Sequence, residues 1–289
     1  MFSIKLPWEA DGRRRGMKQE DCVSFLKWCL PRLGMSWPGF RKVRKTVCKR
    51  VAGRLRSLGL ADVDAYRRYL EAHEEEWPRL DAMCRIPISR FWRDGEVFGH
   101  IASVVLPALA EAAMERGDTH VRVWSAGSAS GEEPYSLRLA WSDRAEAAFP
   151  SLSVRILATD IDEMMLSRAA AGIYGRGSIR EVPPDLVGRA FRRSDDLYEI
   201  REEFRRDVTF LRQDIRREMP EELFDLILCR NLVFTYFDEA TQADLLERIC
   251  QRLRPGGALV IGRRETLPDT GHPLVRWGGP RAIHRLSSS

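Results

Sequence analysis

Two adjacent carboxylates, Glu132 and Glu133, stand where a buried, strand-like run breaks at small residues and a helical pattern begins. The run is Val123-Trp-Ser-Ala-Gly-Ser-Ala-Ser-Gly-Glu-Glu-Pro-Tyr-Ser136. Its layout is that of a nucleotide-type cofactor loop at the carboxyl end of a first parallel strand. The spacing of Gly127 and Gly131 is wrong for the dinucleotide fingerprint, and two acids would repel a pyrophosphate. An acidic loop instead suits a cofactor with a positive centre and sugar hydroxyls, and the sulfonium S-adenosylmethionine is such a cofactor.

Further polar groups fall at the ends of expected strands, where open parallel sheets bind ligands. Asp160 closes the second strand and can accept hydrogen bonds from two vicinal ribose hydroxyls. Glu133 can reach the amino or sulfonium side of the cofactor; a plain helix-start carboxylate favoured by the macrodipole is an equal reading. Asp214 can read an adenine amino group, or be a surface loop acid. Arg230, Asn231 and Tyr236 follow the fourth strand and lie over the expected methyl-transfer point, although Tyr236 also reads as an aromatic packed on the core. Singly, each position favours the structural reading. Their joint placement at successive strand ends favours a site.

The elements that must position these groups divide the chain. Residues 1–18 are polar and Arg-rich and are expected to be disordered, with Met17 an alternative start. Residues 19–85 are helical in pattern: one helix carries Cys22, Phe25, Leu26, Cys29 and Leu33 and ends at Gly34. A second, 39–58, carries Val43, Val47, Val51, Leu55 and Leu58 on one stripe, and shorter helices are expected at 63–73 and 77–84. Residues 86–100 read as a linker. From 101 to 289 strand and helix alternate, which implies a mostly parallel sheet. Strands are expected at 121–124, 154–159, 224–229 and 258–262, and helices at 134–148, 164–171 and 239–253, with the turn Arg254-Pro-Gly-Gly257. A closing antiparallel hairpin is expected at 274–277 and 282–286. The alternation is interrupted near 188–210, where 197–200 and 207–210 are read as strands of a small insertion.

A chain of 289 residues with a net charge of +5 fits one large or two smaller soluble domains. No apolar run reads as a membrane span, and the amino terminus lacks a signal-peptide pattern. Six scattered cysteines without a Cys-x-x-Cys pair read as reduced thiols of a cytoplasmic protein. The five histidines do not cluster with them, so no metal is expected.

Five segments resemble the CheR-type chemotaxis receptor methyltransferases. They are Phe91-Trp-Arg-Asp94; 124–136; Ala158-Thr-Asp-Ile-Asp162 with Ala171-Gly-Ile-Tyr174; Phe224-Asp-Leu-Ile-Leu-Cys-Arg-Asn231 with Tyr236-Phe-Asp238; and Leu253-Arg-Pro-Gly-Gly257 with Gly262. The resemblance implies an α/β, class I S-adenosylmethionine-dependent methyltransferase: a Rossmann-like, mostly parallel sheet with an antiparallel last strand, an amino-terminal all-helical domain and a small β-subdomain insertion. By matching motif positions it implies cofactor contacts from Glu133, Asp160, Asp214, Ile215, Arg230 and Asn231, beside Gly127 of the loop. It places Ser89 and Arg93 on a linker crossing the site, with Arg93 and Tyr236 nearest the reacting group.

The implied acceptor is a glutamate side chain of a chemoreceptor. A carboxylate is already ionised at neutral pH and needs no general base, which agrees with motifs that hold no histidine. The cations Arg41, Lys42, Arg44, Lys45, Lys49, Arg50, Arg54 and Arg56 occur with no acid among them. A solvated face is the ordinary reading of such a run and a nucleic-acid patch its rival. The resemblance implies that this helix, through Lys49, Arg50, Arg54 and Arg56, docks on the acidic helical region of a receptor.

The chain departs from the family pattern at Pro87 and Ser89, where an Asn and a Thr are usual, and at Trp92. It departs again at Gly262-Arg-Arg-Glu265, where Gly-His-Ser-Glu is usual, so two cations stand near the substrate mouth. Two alternatives stay open: another acceptor, such as nucleic acid or a small molecule, or a cofactor-binding module without turnover. The first is disfavoured for nucleic acid by the lack of an Asp/Asn-Pro-Pro-Tyr motif after Cys229.

Overall fold

The computed structural model describes residues 18–287. The disorder expected for 1–18 falls, apart from Lys18, outside the described residues. The chain divides into two compact units between Ile86 and Pro87.

The first unit is helical. Helix α1 (Gln19–Cys29) runs into a 3₁₀ turn that Gly34 ends in the left-handed region, φ +66. The helix expected at 39–58 is interrupted. Trp37–Phe40 is a single turn, since Pro38 suits only a helix start and Gly39 weakens one. Helix α2 (Arg44–Leu58) then starts afresh, leaving Arg41 and Lys42 outside it. Val47, Val51 and Leu55 recur every fourth residue and are buried. Helices α3 (Val63–Ala72) and α4 (Trp77–Cys84) complete the unit, α3 capped by the Asp62 carboxylate accepting from Ala65 N–H at 2.8 Å. Phe25 stacks on Tyr66 with ring centroids 5.5 Å apart. Cys22 and Cys48 form a disulfide joining α1 to α2. This corrects the reading of six reduced thiols, because residues far apart in sequence meet when the two helices pack. Cys29, Cys84, Cys229 and Cys250 are free and buried.

The second unit opens with α5, a 21-residue helix over Gly95–Glu115, so the boundary expected at residue 100 falls inside an element. By length and hydropathy α5 is apolar enough to cross a membrane, contrary to the reading of no such run. Half of its most apolar window is buried within the protein, including Val97, Phe98, Ile101, Val105 and Leu109, as in a core helix.

Strand β1 (His120–Ala126) leads to α6 (Glu132–Ala140), and β2 (Ser153–Asp160) to α7 (Glu163–Ala171). Next come β3 (Ile173–Gly175), β4 (Phe191–Ser194), β5 (Leu197–Ile200), β6 (Val208–Arg212) and β7 (Phe224–Cys229). Helix α8 (Glu239–Cys250), β8 (Leu253–Ile261), β9 (Leu274–Arg276) and β10 (Ile283–Leu286) end the chain. The main sheet has the order β6-β2-β1-β7-β8-β10-β9. Its first five strands are parallel, and β10 is antiparallel to both neighbours.

The insertion is differently built from the expectation. Strands β3, β5 and β4 form its antiparallel sheet. The strand read at 207–210 as part of it is instead β6, which pairs with β2 as the edge of the main sheet. A short strand with half-buried residues looks alike in either place, and only its partner decides. Arg254–Gly257 bulges out between the pairs Phe224–Leu253 and Leu226–Ala258.

Candidate active site

The carboxyl ends of β1, β2, β6 and β7 converge because the sheet order reverses beside β1. After β1 the loop doubles back. The amides of Gly127 and Ser128 donate to the Thr159 carbonyl at 2.8 and 3.0 Å. The Asp160 carboxylate accepts from the amides of Ala129 and Asp162, both at 2.9 Å. Asp160 thus fastens the loop. Gly127 has φ +77, and a Cβ there would lie 2.6 Å from Leu232 Cδ2. The cradle is therefore closed on one side by the residue following Asn231.

Glu133 stands at the first turn of α6. Its Oε1 accepts from Ser125 Oγ at 2.9 Å and its Oε2 from Arg230 Nη1 at 3.2 Å. Arg230 Nη2 also donates to Asp94 Oδ2 at 2.7 Å and to the Arg93 carbonyl at 2.9 Å. The Arg230 side chain is 2% exposed and lies over the Phe98 ring, 5.2 Å from its centroid. One buried cation thus faces two carboxylates. Burial pushes the Glu133 carboxyl above the usual range, and Arg230 opposes that shift. A ligand carrying positive charge relieves this imbalance.

Asn231 has φ +57, and its amide donates to Glu265 Oε2 at 2.9 Å. Glu265 also accepts from Gly262 N–H and from the Thr235 hydroxyl, so it bolts the β7 loop to the β8 loop. A Cβ at Gly262 would collide with Asn231 Nδ2. Burial raises the Glu265 carboxyl as well.

The segment before α5 is threaded into this unit. Phe91 N–H donates to the Ser178 carbonyl at 3.0 Å, and Trp92 N–H donates to Ser136 Oγ at 2.9 Å. Trp92 and Asp94 take positive φ, 56 and 62, strained values for such residues. That backbone aims Asp94 at Arg230. Arg93 Nη1 donates to the Ile88 carbonyl at 3.1 Å, and its charge acts on both Glu133 and Tyr236. Burial raises the Tyr236 phenol, so it stays protonated as a donor.

Glu133, Arg93, Arg230, Asn231 and Tyr236 therefore gather at the carboxyl ends of β1 and β7, with Gly127 and Asp160 shaping the adjoining loop. Asp214 lies one residue beyond Gln213, whose amide donates to the Asp160 carbonyl at 3.0 Å. Its carboxylate accepts from Arg216 Nε and Nη2 at 3.0 and 2.9 Å, so any adenine contact shares it with that guanidinium. Ile215 is 8% exposed beside it, and Ser89 is half-buried. Sequence reasoning assigned no role to Asp94 or Glu265. Both sat inside quoted motifs, but an acid next to Arg93 or Arg264 reads as a local surface pair.

Two of the cations assigned to docking are occupied internally. Arg54 donates Nε and Nη2 to Glu76 at 2.8 and 2.6 Å, and Arg50 donates to the carbonyls of Met83 and Arg85. On α2, Lys45, Lys49 and Arg56 remain exposed, within about 40° of one helical stripe at ~100° per residue. Among the described residues no group of three or more His, Cys, Asp or Glu is placed to hold a metal ion.

The family model described as CheR methyltransferase, SAM binding domain, matches residues 88–279. The chain belongs to the CheR methyltransferase family. A chemotaxis protein methyltransferase of Escherichia coli is 34% identical over 77% of this chain and 76% of its own. One of Borreliella burgdorferi is 30% identical over 78% and 81%. An uncharacterized 104.1 kDa protein of Rhodobacter capsulatus is 33% identical over 77% of this chain, which spans only 23% of that protein. Among solved structures, the N-methyltransferase NodS of Bradyrhizobium japonicum overlaps 54% of this chain and 59% of its own at TM-score 0.30 and 17% identity. The CheR match and the strand order together make the second unit a class I S-adenosylmethionine-dependent methyltransferase fold.

Proposed function

We propose that this CheR-family chain transfers a methyl group from S-adenosylmethionine to glutamate carboxylates of a chemoreceptor or related signalling protein in the cytoplasm. The products are a γ-glutamyl methyl ester and S-adenosylhomocysteine. The Glu133–Arg230–Asp94 cluster carries the reading, because it holds a desolvated Glu133 carboxylate at the carboxyl end of β1, where a cationic donor would lower the cost of its charge.

The residues present fit that donor. Ser128 Oγ in the loop and Arg230 Nε are buried without a protein partner, and the Gly127 cradle admits no side chain. Glu133 would face the positive centre, Asp160 the ribose hydroxyls, and Asp214 with Ile215 the adenine end. The bound cofactor supplies an electrophilic methyl on sulfur. The acceptor carboxylate would already be ionised at neutral pH, so no side chain need remove a proton from it. Arg93 attracts and orients that carboxylate. Tyr236, held protonated, donates a hydrogen bond to the oxygen that does not attack. The enclosing residues 91–94 exclude water. Exposed Lys45, Lys49 and Arg56 would meet the acidic helical face of the receptor, an attraction weakened by salt.

The test is transfer of labelled methyl from S-adenosylmethionine to receptor fragments, followed by mild alkali. Volatile methanol marks a glutamyl ester. Label that alkali leaves in place would sink the glutamate reading, and cofactor binding with no transfer would point to a module without turnover.

A further inference from the structure

The loop between β8 and β9 walls a cavity of about 740 Å³ whose lining includes Glu265, the acid that holds Asn231. Arg263, Arg264, Arg276, Arg281, His272 and His284 line it, against Asp269 and Glu265 as the acids. Glu265 has its oxygens taken by Asn231, Gly262 and Thr235. Among the described residues the side chains of Arg264, Arg276 and Arg281 have no hydrogen-bond or ion-pair partner, and all three are exposed. Arg263 lies 3.7 Å from Asp94, which pairs with Arg230. The cationic cavity therefore begins beside the cluster where methyl transfer is proposed. His284 Nδ1 is buried without a partner, and burial together with Arg276 holds its ring below the usual histidine range.

We infer that this cavity receives an acidic residue of the acceptor polypeptide, adjacent to the glutamate that takes the methyl group. The inference rests on the glutamate reading above. Unpaired guanidiniums at the rim of a wide cavity suit flexible carboxylates arriving on a chain, whereas a compact phosphate wants buried donors converging on one point. Leu246, Leu267 and Leu274 in the same wall offer apolar surface for glutamyl methylenes. The arginines would thus select acceptors with neighbouring acids.

The experiment uses the full chain with S-adenosylhomocysteine and two labelled peptides, in which the acceptor glutamate is flanked by glutamates or by glutamines. Fluorescence anisotropy at low salt should show about three- to tenfold tighter binding of the acid-flanked peptide, the scale of two exposed ion pairs. The double variant Arg276→Gln, Arg281→Gln should lose that preference while its affinity for S-adenosylhomocysteine stays unchanged. No preference in the parent chain, or one retained by the variant, overturns the inference. So does a polynucleotide that displaces the acid-flanked peptide at lower concentration than the unlabelled peptide does. Methanol release from the same peptides scores the parent reading separately. Methanol without arginine dependence leaves that reading and removes this one. Arginine-dependent binding without methanol removes the parent reading, and this inference falls with it.

Discussion

At the residue scale, Glu133 holds a charge that the folded protein accommodates poorly. Its carboxyl is raised by burial, so its ionised form opposes folding as pH climbs past the ordinary carboxylate range. Glu133→Gln removes that cost, while Arg230 keeps Asp94 at 2.7 Å. Calorimetry should show cofactor affinity falling by ~10- to 100-fold, the worth of a hydrogen bond to a charged group. The thermal midpoint of the cofactor-free protein should hold or rise; a lower midpoint with unchanged affinity would make Glu133 a merely structural acid. Arg230→Met should act oppositely, stranding two carboxylates and costing ~3–5 kcal/mol of stability by denaturant titration. In the proposed reaction Tyr236 orients and does not exchange a proton, so Tyr236→Phe should lower kcat by only about tenfold. The rate should be flat from about pH 6 to 9, because the acceptor is ionised throughout and the phenol is raised. A bell-shaped profile in that range would demand a general base.

At the element scale, the turn from β1 into α6 depends on a position that no side chain can occupy. Gly127→Ala would force an alanine to φ +77 with its Cβ against Leu232. Left-handed strain and overpacking together predict ~2–4 kcal/mol lost in a chemical melt, with cofactor affinity lost as well. Adding Leu232→Ala clears the clash but not the backbone strain, so about half the loss should return; no rescue would refute the contact. In the helical unit, Glu76 is 3% exposed, paired with Arg54 and hydrogen-bonded by Tyr66. Arg54 holds its carboxyl below the usual value. A depressed folded pKa contributes stability above the unfolded value of about 4.5 and loses it as pH falls through the folded one. Glu76→Gln should therefore cost ~1–3 kcal/mol at pH 7 and flatten the acid limb of the unfolding curve below about pH 4.5.

At the scale of the molecule, the two units have different means of support. The second buries the centre of its main sheet, with β7 covered along its whole length. The first is small, and its disulfide closes a separation of 26 residues, which chain entropy values at about 3.5 kcal/mol. Reduction, or Cys22→Ser with Cys48→Ser, should lower the melting of the helical unit while cofactor affinity, housed in the other unit, stays constant. A loss of affinity on reduction would couple the units.

The sequence by itself placed most helices and parallel strands and pointed to the cofactor class, because each depends on near neighbours. Period-four apolar stripes placed the helices, and small residues between Val123 and Glu133 marked the loop where β1 turns into α6. Motif spacing brought Glu133, Asp160, Arg230 and Asn231 to successive strand ends. Tertiary structure alone decided the partnerships. It moved the strand read at 207–210 from the insertion to the main sheet, joined Cys22 to Cys48, and bent Asp94 onto Arg230 from 136 positions away. It also bound Arg50 and Arg54 internally, though a cation facing water and one facing Glu76 look the same in a string of residues. A pairing is a property of two distant segments, and its energy depends on burial that neither segment records alone.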